Sequence, residues 1–170
     1  MVTEEVKAYS ANILQIFGHN VQRVRERRQY SFTDVETMSG YGRQYISALE
    51  LGEKDIQLST AIRIARALNV PLAKLFTRAL DSNVDILDEV FKEDDFLLVF
   101  SANVRRQLMS AGKKEIHIYI ETGMDTATIN RTLNIKTADP RISSLAKIAA
   151  GVGVDLSDLL RRKTGGNVAV

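Results

Sequence analysis

The fold of this 170-residue chain is decided by residues 40–52, whose sequence is GYGRQYISALELG. Two glycines among its first three positions suit a tight turn, because glycine tolerates a positive φ. A helix that begins at Arg43 places Ile46 and Leu49 on one face, as core residues rather than exposed ones. Gly52 then supplies a natural C-terminal stop. The stretch therefore predicts a tight turn followed by a short helix.

Four further helices are predicted around this turn. One precedes it and ends near Arg28, and a short one begins at Ser31 and Asp34, which resemble a capping box. After the turn, Ser59 can cap a fourth helix, and Pro71 opens a fifth, because proline suits a first helical turn. Five short helices with a glycine turn between the second and third are typical of a helix-turn-helix module.

The second half of the chain repeats the first at a spacing of 83 or 84 residues. The matches keep their order across about sixty residues, and many fall at apolar positions. This pattern indicates two copies of one domain. Matched pairs are Phe17 with Phe100, Asn20 with Asn103, Val21 with Val104, Gly40 with Gly123, Ile46 with Ile129, Ser59 with Ser143 and Ile64 with Ile148.

The sequence therefore predicts an all-α chain of two tandem five-helix domains. The first domain spans residues 1–80, and the second, more divergent domain spans residues 96–163. Residues 81–95 form an acidic linker with helical apolar spacing, and residues 164–170 form a flexible tail. Residues 115–121 alternate like a strand, but the repeat register assigns them to the second helix of their domain, because a lone strand would lack a partner.

Composition excludes several classes of function. With no cysteine and only two histidines, His19 and His117, the chain has little material for a disulfide framework, a thiolate nucleophile or a zinc centre. No phosphate loop or catalytic constellation is present, so we predict neither an enzyme, nor a cofactor or metal site, nor a small-molecule substrate. No segment is long and apolar enough to span a membrane and the start is acidic, which predicts a cytoplasmic protein.

The charge is unevenly distributed along the chain. Its net value is +2, but residues 81–95 carry −6, which leaves +8 on the remainder. Basic residues cluster near Arg23, near Arg105 and from Arg161 onward. Such clusters either neutralise phosphates or form ordinary solvated helix faces.

Residues 40–52, together with residues 58–72, resemble the phage lambda repressor and Cro-like helix-turn-helix family, also called the XRE type. The resemblance is strong over residues 17–76 and weaker over residues 100–160. It implies a sequence-specific, DNA-binding transcription regulator, most commonly a repressor, that acts as a homodimer on double-stranded operator DNA. Members of this family read bases mainly from the first turn of the third helix.

By this resemblance, Arg43 and Gln44 read base edges in the major groove, where arginine suits guanine and glutamine suits adenine. Ser47 lies one turn further on, while Lys54 and Arg28 neutralise phosphates. Counterparts in the second domain are Thr126, Ala127, Asn130 and Arg131, at the start of its third helix.

The chain departs from the family pattern in three respects, and one alternative function stays open. The chain departs from the family pattern at Phe32, where many members carry a phosphate-touching glutamine, and at Glu36, where alanine is usual. The second copy also lacks the Glu-x-Gly close of its third helix. The alternative function is a protein-binding helix-turn-helix module (an antitoxin, antirepressor or inhibitor) whose second domain serves dimerisation or partner binding.

Overall fold

The computed structural model describes residues 1–78 and 95–162, here called the first half and the second half. Every regular element within these two ranges is a helix, which confirms the predicted all-α fold. None of these helices has the length and apolar content needed to cross a membrane. The predicted acidic linker, apart from its last residue Asp95, and the predicted tail lie outside the described residues.

Each half contains five helical segments in the same order. Those of the first half are α1 (Glu4–Arg27), α2 (Phe32–Ser39), α3 (Arg43–Glu50), α4 (Leu58–Leu68) and a 3₁₀ helix (Leu72–Phe76). Those of the second half are α5 (Phe96–Ser110), α6 (Ile116–Thr122), α7 (Thr126–Asn134), α8 (Ile142–Val152) and α9 (Leu156–Leu159).

Three of the local predictions are confirmed. Ser31 caps α2: its hydroxyl accepts a hydrogen bond from the Asp34 amide at 3.0 Å, and the Asp34 carboxylate accepts from the Ser31 amide at 2.7 Å. The helix α3 begins at Arg43, as expected. Residues 116–121 of the alternating segment lie in α6 and Glu115 is its N-cap, so the repeat register predicted the structure better than the alternation did.

The role predicted for Ser59 is wrong. The N-cap of α4 is Gln57, and Ser59 lies inside the first turn of the helix. Its amide donates to Oδ1 of Asp139 at 2.9 Å, and its hydroxyl donates to Oδ2 of the same carboxylate. The free amide at the start of α4 is therefore satisfied by an acid from the other half rather than by its own serine.

The two halves exchange the same bonds in both directions. Asp55 of the first half accepts from the amide and the hydroxyl of Ser143, at 3.1 and 2.6 Å, just as Asp139 accepts from Ser59. Gln57 and Arg141 form an antiparallel bridge between these contacts. Asp139, Ser143 and Arg141 each stand 84 residues after Asp55, Ser59 and Gln57. A contact in which each side presents the same residues to the other is the mark of approximate two-fold symmetry.

Each half contains a buried asparagine that joins its first helix to the backbone at its last helical segment. Asn20 on α1 donates through Nδ2 to the carbonyl oxygens of Leu75 and Thr77, at 3.0 and 2.8 Å. Asn103 on α5 donates to the carbonyl oxygens of residues 159 and 161, at 2.8 and 3.1 Å. Because buried carbonyl groups need partners, these asparagines tie the first helix of each half to its last helical segment.

The N-terminal part of α1 packs on the second half. The Tyr9 hydroxyl accepts from the Leu156 amide at 3.0 Å and lies 3.2 Å from the Asp155 carboxylate, to which it donates. Burial raises the pKa of Tyr9 to about 12. Apolar side chains of both halves form one continuous core, in which Phe17 and Phe76 stack with ring centroids 4.9 Å apart. The halves therefore share an interior as well as a polar boundary.

Candidate nucleic-acid interface

The turn between α2 and α3 is built around a single hydroxyl group. Ser39 Oγ donates to the Val35 carbonyl at 2.6 Å and accepts from the Tyr41 amide at 3.2 Å. Between them Gly40 has φ +81°, in the left-handed region that favours glycine. The chain thereby reverses within three residues and starts α3 at Arg43.

The turn between α6 and α7 has the same construction. Thr122 Oγ1 donates to the Ile118 carbonyl at 2.6 Å and accepts from the Met124 amide at 3.1 Å. Gly123 adopts φ +74°. A hydroxyl residue followed by a left-handed glycine thus forms a helix-turn-helix corner in both halves.

A close backbone approach holds α3 against α1. A Cβ atom added at Gly18 on α1 would lie 2.2 Å from the carbonyl oxygen of Leu49 on α3. Because no side chain fits there, the two helices touch backbone to backbone. Ile46 and Leu49 are buried on the same side of α3, as predicted. The position of α3 is therefore fixed by the packing of its inner face.

A buried ion pair provides the second attachment of α3 to α1. Arg25 Nε and Nη2 lie 2.6 and 3.1 Å from the two carboxylate oxygens of Glu50. A third donor, Nη1, reaches the Tyr30 carbonyl at 3.1 Å, and the guanidinium lies 4.1 Å above the ring of Phe32. The hydrogen bond to Glu50 holds the pKa of Arg25 above its ordinary value. Phe32, which departs from the family pattern, packs beneath this arginine.

The residues predicted to read bases are exposed at the start of α3. Arg43 and Gln44 are both exposed, whereas Ser47 is half-buried one turn later. The N-cap Gly42 forms no side-chain bond to the helix, and the first turn contains no acid. The first amides of α3 and their partial positive charge therefore face outward together with Arg43.

Two stacked tyrosines support this end of α3. The rings of Tyr41 and Tyr45 lie 5.0 Å apart, and the Tyr41 hydroxyl donates to Thr60 Oγ1 on α4 at 3.1 Å. Lys54, a predicted phosphate contact, is exposed, with its Nζ 5.6 Å from the centre of the Tyr45 ring. Partial burial raises the pKa of Tyr45. The ring pair thus connects the turn, α3 and α4.

Arg28, a predicted phosphate contact, is the C-cap residue of α1. It is half-buried at the end of α1, and its Nη2 donates to the Asn69 carbonyl at 3.2 Å, at the end of α4. The sequence did not predict Arg63 as a candidate DNA contact. Its exposed guanidinium lies 5.5 Å from the ring of Tyr41. Nor did the sequence predict the exposed Arg141, which donates to the Asp55 carbonyl at 2.9 Å. The 84-residue repeat pairs Arg141 with Gln57, and this pairing is the sequence signal that indicates Arg141.

The corresponding start of α7 is exposed but differs in charge. Its N-cap is Asp125, which accepts from the amide and hydroxyl of Thr128 at 2.8 and 2.6 Å, and these bonds lower the pKa of Asp125. Asn130 accepts a bond from Asn134 at 2.8 Å. A carboxylate therefore stands where α3 has a glycine. The four predicted residues Thr126, Ala127, Asn130 and Arg131 are all exposed.

The outer face of α6 is apolar. Ile116, Tyr119 and Ile120 are 49%, 46% and 65% exposed. Residues 83 positions earlier, on α2, are Thr33, Glu36 and Thr37, which are polar. The two halves therefore have the same order of helices but different surface chemistry on their second helix.

Comparison with known proteins agrees with this geometry. A model of the helix-turn-helix family matches residues 21–75. Control protein C.SmaI of Serratia marcescens is 37% identical over 67 residues, covering 39% of this chain and 80% of that protein. A protein of Sinorhizobium fredii, y4dJ, named as an HTH-type transcriptional regulator, is 33% identical over 63 residues, covering 37% of this chain and 82% of that protein.

A longer similarity extends through both halves. PH1808 of Pyrococcus horikoshii, named as an HTH-type transcriptional regulatory protein, is 28% identical over 169 residues. The alignment covers 92% of this chain and 53% of that protein. No solved structure matches the chain significantly. With its glycine turn, exposed third helix and close relatives, the chain belongs to the helix-turn-helix family of DNA-binding transcription regulators, of the lambda repressor and Cro-like type.

Proposed function

We propose that this protein is a sequence-specific transcriptional repressor that reads double-stranded operator DNA with the first turn of α3. The observation that carries the proposal is the exposed pair Arg43 and Gln44 on a helix whose start bears no acid and whose inner face is anchored to α1. The major groove admits one α-helix, so an outward-facing first turn can meet base edges there.

Each predicted residue has a distinct role in this mechanism. Arg43 donates two hydrogen bonds to guanine, and Gln44 pairs with adenine. Ser47 and Lys54 contact the flanking phosphates, and Arg63 extends the positive surface beside the turn. Phosphate contacts set the orientation, whereas the base contacts give sequence preference. Occupation of an operator then represses a gene by excluding other proteins from that DNA.

We further propose that residues 1–80 and 96–163 are two helix-turn-helix domains of one chain. The shared corner at Gly40 and Gly123 supports this division, and so does the order of helices in the two halves. In the second domain, α7 is the reading helix. The family resemblance predicts a homodimer, and the number of chains bound to one operator distinguishes that arrangement from a single chain with two reading helices. The role is one of binding in the cytoplasm, and no residue is assigned to catalysis or to a cofactor.

We expect Arg43→Ala and Gln44→Ala each to weaken specific binding by about 1–3 kcal/mol, since each removes a bidentate base contact. Lys54→Ala should weaken binding to all sequences alike and reduce the salt dependence by about one phosphate. The measurement is fluorescence anisotropy over a salt series, on a duplex selected from genomic fragments.

Arg161→Ala is the matched control. It removes the same charge from an exposed residue that follows α9 and is paired with Asp158 at 3.5 Å. We expect this variant to retain the sequence preference of the unaltered chain. Equal losses for Arg43→Ala and Arg161→Ala would contradict the assignment of base reading to α3.

The exposed apolar face of α6 supports a second candidate function, a protein-binding module that uses the second half. Isolated apolar side chains are common on surfaces, but three on one short helix are typical of a contact site. Ile120→Lys would disrupt such a contact. If the chain bound no duplex selectively, and if it associated with itself or a partner in a way that Ile120→Lys abolished, the second candidate would replace the first.

A further inference from the structure

The polar boundary between the halves has a consequence for the DNA that the protein reads. Asp55 accepts from Ser143, and Asp139 accepts from Ser59, so each half caps the fourth helix of the other. The amide of Leu58 also donates to the carbonyl of residue 140, and the amide of residue 142 donates to that of residue 56, both at 2.8 Å. We refer to the four residues Asp55, Ser59, Asp139 and Ser143 as the reciprocal caps.

We propose that one chain of this protein reads two half-sites of different sequence, with α3 and α7 related by the approximate two-fold axis between the reciprocal caps. The inference rests on the proposed function. A two-fold dimer places its reading helices in successive major grooves, about 10 base pairs apart. Here the two-fold relation lies within a single chain, so one chain supplies both helices.

Helix α7 and the loop that follows α3 both lie beside the bridge formed by Gln57 and Arg141. On one side, a cleft of about 300 Å³ is lined by Gln57 together with Thr128 and Arg131 of α7. On the other side, Arg141 donates to the Asp55 carbonyl, in the loop that follows α3. The bridge therefore connects the loop after α3 with the side of α7, and in this proposal its exposed Arg141 contacts the DNA between the two half-sites.

The two helices differ in what they can recognise. The start of α3 offers Arg43, Gln44 and free backbone amides. At the start of α7, the Asp125 carboxylate accepts bonds from Thr128, and the exposed side chains of Thr126 and Ala127 offer little for bidentate pairing. We therefore expect strong base preferences in the half-site under α3 and weak ones in the half-site under α7. The operator is consequently not a palindrome.

The first experiment is selection of random duplexes by the full chain, followed by footprinting and native mass spectrometry on the selected duplex. We expect one chain per duplex and protection of two successive major grooves. The selected sequence should be well defined in one groove and degenerate in the other. These results would show that one chain recognises both half-sites.

Paired variants assign each half-site to its helix. Arg43→Ala combined with Gln44→Ala should erase the base preferences of the first half-site and lower affinity about 10-fold or more. Asn130→Ala combined with Arg131→Ala should reduce protection of the second half-site and leave the first preferences unchanged. The opposite assignment, or loss of both preferences with either pair, would overturn the proposal.

Variants of the reciprocal caps test whether the fixed placement of the two halves is needed to bind both half-sites. Asp55→Asn combined with Asp139→Asn removes the charge from both acceptors with little change in shape. We expect lower affinity for the duplex with two half-sites and unchanged affinity for a duplex that carries only the first. Glu53→Gln, a neutralisation at an exposed neighbouring residue, is the control and should alter neither affinity.

The remaining outcomes distinguish failure of the single-chain inference from failure of the proposed function. Two chains bound to a palindrome, with both half-sites sensitive to Arg43→Ala, would overturn the single-chain inference and leave the proposed function intact. A footprint limited to one groove would also overturn it. No enrichment of any sequence would instead contradict the proposed function.

Discussion

Replacing Glu50 by leucine is expected to lower the free energy of unfolding by about 3–5 kcal/mol, the usual cost of leaving one member of a buried ion pair without its partner. The side chains of Arg25 and Glu50 are only 11% and 6% exposed. After Glu50→Leu, the Arg25 guanidinium loses both carboxylate bonds while it remains beneath α3. Nη1 of Arg25 still donates to the Tyr30 carbonyl, but this neutral acceptor does not balance the buried positive charge.

The second half provides the natural control for this variant. Positions 83 residues after Arg25 and Glu50 are Leu108 and Leu133, which are 6% and 3% exposed. An apolar pair thus occupies the site that an ion pair occupies in the first half. Because a buried ion pair can be exchanged for well-packed apolar residues at little cost, we expect Arg25→Leu combined with Glu50→Leu to recover most of the lost stability.

Urea unfolding of the four proteins in this double-mutant cycle measures the interaction directly. A single variant Glu50→Leu that unfolded at the same urea concentration as the unaltered chain would contradict the buried pair. A double variant less stable than either single variant would show that the first half, unlike the second, requires the charges.

Gly18→Ala is expected to be the second most damaging change, because its Cβ would lie 2.2 Å from the Leu49 carbonyl oxygen and 2.7 Å from that of Glu50. Both obstacles are backbone atoms, so the clash is relieved only if α1 and α3 move apart. We expect a loss of about 3 kcal/mol, the upper end of the usual range for overpacking, despite the better helix propensity of alanine. That loss corresponds to a melting temperature lower by about 6–12 °C.

The same variant connects packing with the proposed function. Movement of α3 away from α1 displaces Arg43 and Gln44, so specific DNA binding should weaken even at temperatures where the variant is folded. Gly42→Ala is the steric control for stability, because its φ is −63° and no atom lies within 4 Å of its added Cβ. A Gly18→Ala protein as stable as Gly42→Ala would show that the contact between the helices is looser than the structure indicates.

Much of the local structure follows from the sequence alone. The capping box at Ser31, the left-handed turn at Gly40 and the start of α3 at Arg43 depend on neighbours only a few residues away, and all three are present. The repeat also predicted that residues 115–121 lie in a helix, against their alternating pattern. Local hydrogen bonds and apolar periodicity were sufficient for these elements.

Other features depend on residues distant in the chain. Ser59 was predicted to cap its own helix, but Asp139, which is 80 residues away in sequence, accepts its hydrogen bonds. Arg28, which stays a predicted phosphate contact, donates to the Asn69 carbonyl at the end of α4. Neither partner could be inferred from spacing, because a side chain bonds to whatever acceptor the packing brings near it.

By itself, the sequence determined the helices, the capping box of α2 and the residues exposed at the start of α3, because these depend on short-range geometry and on which face of a helix is apolar. Only the tertiary structure decided that each half caps the fourth helix of the other through Asp55 and Asp139, and that Arg141 donates to the Asp55 carbonyl. Those contacts join residues 80 or more positions apart, and the relative placement of such residues is set by the packing of the shared core.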